Sequence, residues 1–99
     1  MVITVFRSRL KDGVQDEYGP MAARMSELAK GMPGYISHKA FTAADGERVT
    51  IVEFENEESL RAWSVHEEHA AAKHRGREAF YSEYDIKTCT VIRARSFKP

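Results

Sequence analysis

A five-residue connection, Ala43-Ala44-Asp45-Gly46-Glu47, separates two strand-like runs, YISHKAFT (35–42) and RVTIVEF (48–54). Asp-Gly in so short a link favours a tight reversal, so the two runs predict an antiparallel hairpin. That hairpin restricts what the flanking segments can do. Before it lies MVITVFRSRL (1–10), whose Val2, Ile3, Val5 and Phe6 are apolar on both faces, as in a central strand covered on two sides. A Lys11-Asp12-Gly13 turn follows. Apolar residues then fall at Val14, Tyr18, Met21, Met25 and Leu28, spaced for an amphipathic helix that Gly31 and Pro33 stop. Pro20 cannot donate to the carbonyl of Asp16, which predicts a kink or a late start.

After the hairpin, Asn56 is an N-cap residue type, and Glu57 and Glu58 suit the first turn of a second helix. This helix, in one piece or two with Ser64-Val65 as the joint, is expected to end near Phe80. The chain closes with a β-branched run over 84–97 (Ile86, Thr88, Thr90, Val91, Ile92) that predicts a long strand. The order is β-α-β-β-α-β. Right-handed crossovers around a central hairpin give a ferredoxin-like α+β fold, an antiparallel four-stranded sheet with both helices on one face. The other face would then meet water, although Val2, Val49, Ile51 and Val52 supply apolar residues to both sides. A homodimer packing sheet on sheet, a dimeric α+β barrel, resolves this.

Residues 56–84 concentrate the unusual chemistry: the only tryptophan, Trp63, together with His66, His69, His74, Arg77, Tyr81 and Tyr84. Val65, His69, Ala72, Gly76 and Ala79 step by three or four and are mostly small, which suits packing on a sheet. Trp63, His66, Ala70, Lys73 or His74, Arg77 and Tyr81 form the neighbouring stripe. An aromatic beside titratable groups on such a stripe can line a pocket; the alternative is a solvated flank from which only the tryptophan is buried.

Ninety-nine residues make one domain, 1–99. Fifteen basic residues balance fifteen acidic ones, so bulk charge draws the protein neither to nucleic acid nor to anionic membrane. No apolar run approaches the ~20 residues of a membrane span, and Arg7 and Arg9 cut short anything resembling a signal peptide, which makes the cytoplasm the default location. The single Cys89 has no disulfide partner and reads as a buried strand thiol. Nucleotide-binding glycine motifs and C-x-x-C are absent. His66-Glu67-Glu68-His69 has histidines three apart where a zinc helix needs four. Arg7 and Arg9 share a sheet face, with Glu53 as the expected ion-pair partner or else an anion-binding role in a cleft. His38 reads as a satisfied or surface histidine.

The segments MPGYISHKAF, RVTIVEFENEESLRAW, HEEHAAAKHRGREAFYSEY and VIRARSF resemble, in order and spacing, the antibiotic biosynthesis monooxygenase family across essentially the whole chain. Pro33-Gly34-Tyr35, Trp63, Gly76-Arg77 and Phe80-Tyr81 carry the likeness most specifically. The resemblance implies the same dimeric barrel and, for one group of members, oxidation of phenolic or anthrone-type substrates to quinones by O2, with no metal or other cofactor. It implies catalytic roles for Trp63, Arg77 and Tyr81, and substrate contacts from Arg7, His66, His74 and Tyr84. A second group degrades haem, using a first-strand asparagine and a helix histidine ten residues after the tryptophan. Here the first strand has Arg7 and Arg9 with no asparagine, and the histidine position holds Lys73, with His74 one step off. A third possibility is a small-molecule binding protein that uses the same cleft without catalysis.

Overall fold

The computed structural model describes residues 1–99. Its elements are β1 (Val2–Leu10), α1 (Gln15–Lys30), β2 (Tyr35–Thr42), β3 (Arg48–Phe54), α2 (Glu57–Ser64), α3 (Glu67–Arg75), a π-helical turn (Gly76–Phe80) and β4 (Tyr81–Thr90). The four strands form one antiparallel sheet in the order β2-β3-β1-β4, which is ferredoxin-like, with the helices on one face. No helix is long and apolar enough to cross a membrane.

The core lies where α1 and α2 meet the sheet. Val2 of β1, Phe54 of β3, Ala29 of α1 and Trp63 of α2 are buried together, with Met25, Leu28, Val52 and Leu60 packed around them. Val2 and Phe54 are register partners, so residues 2, 4, 6 and 8 of β1 share the helix-facing side. Two local devices fix α2 over this core. Asn56 Oδ1 accepts from the amide of Ser59 at 2.8 Å, satisfying one of the free donors of the first turn. Gly34, at φ +81°, lies so close to α2 that a Cβ there would sit 2.2 Å from Ser59 Oγ. A side chain at that position would strain the backbone and push the helix off the sheet.

Several expectations change. The first helix runs from Gln15 to Lys30 with Pro20 inside it, so the late start does not occur. The second helix takes the two-piece form, with α2 ending at Ser64 and α3 beginning at Glu67. Val65, placed by spacing on the packing face, becomes the C-cap of α2 and is 70% exposed. The last strand starts at Tyr81 and ends at Thr90, well short of residue 97. Its partner β1 begins at Val2, opposite Thr90, and after the Val91 N–H donation to the Met1 carbonyl at 3.0 Å there is no strand left to pair with. Cys89 is exposed rather than buried, since it lies on the sheet face that carries no helix.

Arg7 and Arg9 do share that bare face, but their partners are not Glu53. Register places Glu53 opposite Ile3 and Val49 opposite Arg7, so Arg7 reaches instead to Glu47 in the hairpin (2.9 and 3.1 Å). Arg9 holds Asp45 at 2.8 Å and Glu83 at 3.1 Å. Ile3, Val5, Val49 and Ile51 line the same face half-buried, and Phe41 beside them is 50% exposed.

Candidate functional site

The helix layer covers β2, β3 and β1 and leaves β4 largely open. On the helix side of the sheet, Thr4 and Phe6 of β1 lie across from Thr88 and Ile86 of β4. Ile86 is 54% exposed and Tyr84 44%. The result is a trough with an aromatic end. Tyr81 packs edge-on to Phe6 (centroids 5.4 Å), Tyr84 lies 5.7 Å from Phe6 and 5.9 Å from Tyr81, and Tyr18 backs Tyr81 at 5.9 Å. The π-helical turn makes this possible. It carries a buried Gly76, where a Cβ would meet the Tyr81 ring at 2.5 Å, so only glycine lets the ring lie flat against the backbone.

Beneath the helices, in the β1 row between Val2 and Phe6, lies an unsatisfied group shut off from solvent. The Thr4 hydroxyl is buried (Thr4 is 7% exposed) and has no hydrogen-bond partner. Such a group costs about 1–3 kcal/mol unless a water or ligand meets it.

At the other end, over Val2, Trp63 is 6% exposed and stacks face to face with His69, with centroids 4.1 Å apart and planes 9° from parallel. The break between α2 and α3 explains the pair. It ends the regular ladder of α2, and two side chains of α3 meet its last carbonyls: the Trp63 carbonyl accepts from the His66 amide at 3.1 Å and lies 3.0 Å from His69 Nδ1, and Lys73 Nζ donates to the Ser64 carbonyl and hydroxyl at 2.8 and 2.9 Å. A carbonyl only accepts, so Nδ1 carries the proton and the tautomer is fixed. Nε2 is left with a lone pair and no protein partner. Burial, chiefly, holds the His69 pKa below the ordinary histidine value, and the Lys73 and His66 charges add to this. The ring is therefore neutral near pH 7. Burial, then the nearby Arg77, likewise lowers the Lys73 ammonium.

The site residues expected from sequence divide clearly. Trp63 and His66 lie together, 5.8 Å apart and tilted, with His66 Nδ1 accepting from the Glu68 amide as the N-cap of α3. Tyr81 and Tyr84 lie together at the aromatic end. Burial, followed by the hydrogen bond to Tyr18, pushes the Tyr81 phenol far above its ordinary range, so it can donate a proton in a hydrogen bond but cannot act as a base. The structure does not bring the others to the trough floor. Arg7 is on the opposite sheet face, where with Glu47, Glu83 and Asp85 it borders a polar recess of about 250 Å³. His74 is exposed and bonds Glu78 at 3.0 Å. Arg77 is exposed on the π-helical turn and forms no ion pair.

Sequence reasoning gave His69, Thr4 and Phe6 no place among the site residues. Helical spacing put His69 among packing residues, which is where it lies, but the broken helix that frees one of its nitrogens is a tertiary event.

A four-stranded ferredoxin-like sheet with one helical layer and an open aromatic trough beside it defines a class of small α+β proteins. The sequence profile of the antibiotic biosynthesis monooxygenase family matches residues 1–75, and the chain belongs to that family. It is 33% identical over 94 residues to the uncharacterized protein YqjZ of Bacillus subtilis, an alignment covering 95% of this chain and 82% of that protein. Among solved structures, Rv0793 from Mycobacterium tuberculosis superposes with a TM-score of 0.84 at 14% identity, covering 96% of this chain and 98% of that one. SnoaB, a cofactor-independent oxygenase from Streptomyces nogalater, superposes with a TM-score of 0.77 at 18% identity over 94% of each chain. At those identities the structures share the fold.

Proposed function

We propose that this protein is a cofactor-independent oxygenase acting on a small hydroxyaromatic, anthrone- or quinol-type compound in the cytoplasm, and that it works as a homodimer. The observation that carries the reading is the trough itself: an aromatic wall of Phe6, Tyr81 and Tyr84 open along β4, underlain by the orphaned Thr4 hydroxyl and closed by Trp63. Aromatic walls accept a planar ring system. Family membership and the likeness to SnoaB support the reaction class.

The chemistry asks little of the protein. Deprotonating an anthrone gives a carbanion that is its own electron source. It adds O2 to form a hydroperoxide, which loses water to leave a carbonyl. One ring methylene and one O2 thus become one ring ketone and one water. The protein supplies a site that excludes water, holds the ring and stabilises the anion. In this reading Trp63 and Tyr81 contact the reacting ring, Tyr84 and His66 border it, and Arg77 is a cation at the rim. Arg7, on the opposite sheet face, and His74, paired with Glu78, are given no part within one subunit in this reading. His74 as an iron ligand would have to leave Glu78, and Lys73 at the family's ligand position is committed to Ser64.

The dimer reading rests on the bare sheet face. Burying several hundred Å² of apolar surface there at ~25 cal/mol per Å² stabilises association by several kcal/mol before its entropic cost. Sedimentation equilibrium at micromolar concentration is expected to give a dimer; a folded, soluble monomer would remove this part. For the activity, metal-stripped protein is mixed with dithranol, an anthrone, in an oxygen electrode. Saturable O2 uptake above autoxidation, with one labelled oxygen atom from 18O2 in the product, is expected. Saturable quenching of Trp63 fluorescence without O2 uptake would make the protein a binding protein. A Soret band on adding haem that His74→Ala abolishes would make it a haem protein.

A further inference from the structure

We propose that His69 is the base of this site, taking the ionisable proton of the bound hydroxyaromatic on Nε2; this rests on the aromatic-ligand reading of the trough. The Trp63 carbonyl fixes Nδ1 as the protonated nitrogen, at 3.0 Å, and the parallel stack at 4.1 Å fixes the ring plane. A base needs a lone pair, a held orientation and access; the His69 ring is half-buried rather than sealed, is held by the stack, and has no partner on Nε2.

The neighbouring groups lack one or more of these. Tyr81 keeps its proton, the Lys73 ammonium is bonded to Ser64, and Arg77 is a permanent cation. The His66 lone pair at Nδ1 is spent on the Glu68 amide. Of the carboxylates of α3 and the π-helical turn, Glu68 pairs with Arg24 of α1, Glu78 with His74, and Glu67 is exposed in the first turn of α3.

The resting ring is neutral because it is half-buried and because Lys73 and His66 oppose a further positive charge; the Arg24–Glu68 pair on the α1 side is internally balanced. An anionic ligand reverses that balance. Once the proton has moved, the imidazolium lies over the indole face, still donating to the Trp63 carbonyl, with the ligand anion at Nε2. Protons balance through the cycle. His69 takes one proton from the ligand and returns it to the peroxide after O2 adds. It then takes the C–H proton as the hydroperoxide breaks, and hydroxide leaves with that proton as water.

The test separates the base from the oxygenase. His69→Asn keeps a donor where Nδ1 was and deletes Nε2; His69→Gln is the second variant should the first fold poorly. Under anaerobic conditions, 15N-edited NMR of wild-type protein should show the His69 ring with protonated Nδ1 and bare Nε2, and saturating dithranol should protonate Nε2. In air, kcat/KM of either variant should fall at least ~100-fold near pH 7. It should recover as pH rises and the free ligand ionises, and partly on adding imidazole, neither of which a packing defect would do. The opposite tautomer, or an Nε2 unmoved by saturating ligand, overturns the proposal, as does a variant with an unchanged pH profile. Protonation of Nε2 without any O2 uptake would keep the base and remove the oxygenase.

Discussion

Two half-buried histidines, one at each end of the helix layer, show what separates a clasp from a site. His38 of β2 is bonded at both nitrogens, Nδ1 to the Tyr35 hydroxyl at 2.7 Å and Nε2 to Ser26 Oγ of α1 at 2.9 Å. His69 is bonded at one. Burial lowers the pKa of both, with Lys30 adding at His38 and Lys73 and His66 at His69. Titration alone therefore cannot tell them apart. Hydrogen-bond satisfaction can: His38 ties the edge strand to α1, and both its partners are hydroxyls, which can donate to a bare ring nitrogen or accept from a protonated one. His69 caps a broken helix with one nitrogen and presents the other.

The largest effect expected is at the support of His69. Trp63 is buried against Val2, Ala29 and Phe54, so Trp63→Ala should cost about 3–5 kcal/mol in urea unfolding. It should also release the His69 ring from its single tautomer. Trp63→Phe keeps a face for the stack and should lose much less. A Trp63→Ala protein of unchanged stability would mean that this end is as loosely built as the trough, and the contrast with the His38 end would fail.

Next come the histidines themselves. His38→Ala leaves two part-buried hydroxyls without a partner and should cost about 1–3 kcal/mol, while leaving dithranol affinity within about twofold. His69→Asn retains the capping donor, so it should cost under about 1 kcal/mol while disabling turnover. Equal stability losses with equal functional losses would erase the distinction. The pH dependence is shared. A histidine whose folded pKa lies below its unfolded value of 6.5 is protonated first in the unfolded chain. Stability is therefore full above about pH 6.5 and falls as pH drops from there through the folded pKa values. His38→Ala and His69→Asn should each flatten part of that fall in urea midpoints taken across the range.

How legible each end was in the sequence follows from the kind of interaction involved. Periodicity and turn chemistry located the hairpin, α1 and the strand order, because they depend on residues near in sequence. Asn56 as a cap and Ser64-Val65 as a joint are equally local, and the structure has both. The end of β4 was not legible, because it depends on where β1 runs out. Neither were the partners of Arg7, because strand register decides between Glu53 and Glu47. Trp63 and Tyr81 were found as aromatics on one helix stripe, although Tyr81 turns out to open β4. The role of His69 was hidden because it depends on a helix break that brings its ring to the Trp63 carbonyl, which spacing cannot display.

The smallest effect expected is at Arg77, and it tests whether the trough stabilises an anion by proton transfer or by a fixed cation. Arg77 is exposed, on the π-helical turn, with no carboxylate partner. A solvated guanidinium acts on a ligand charge through water and salt, which reduces its influence to a few tenths of a kcal/mol near physiological ionic strength. Arg77→Gln should therefore weaken dithranol binding by less than about threefold at ~0.15 M salt, with a larger loss when salt is lowered about tenfold. Its pH profile should keep the wild-type shape, because the base is untouched. A loss near a hundredfold, insensitive to salt, would place Arg77 in direct contact with the ligand anion. The trough would then resemble the His38 end in one respect: its charge would be held by a fixed partner rather than moved by a free one.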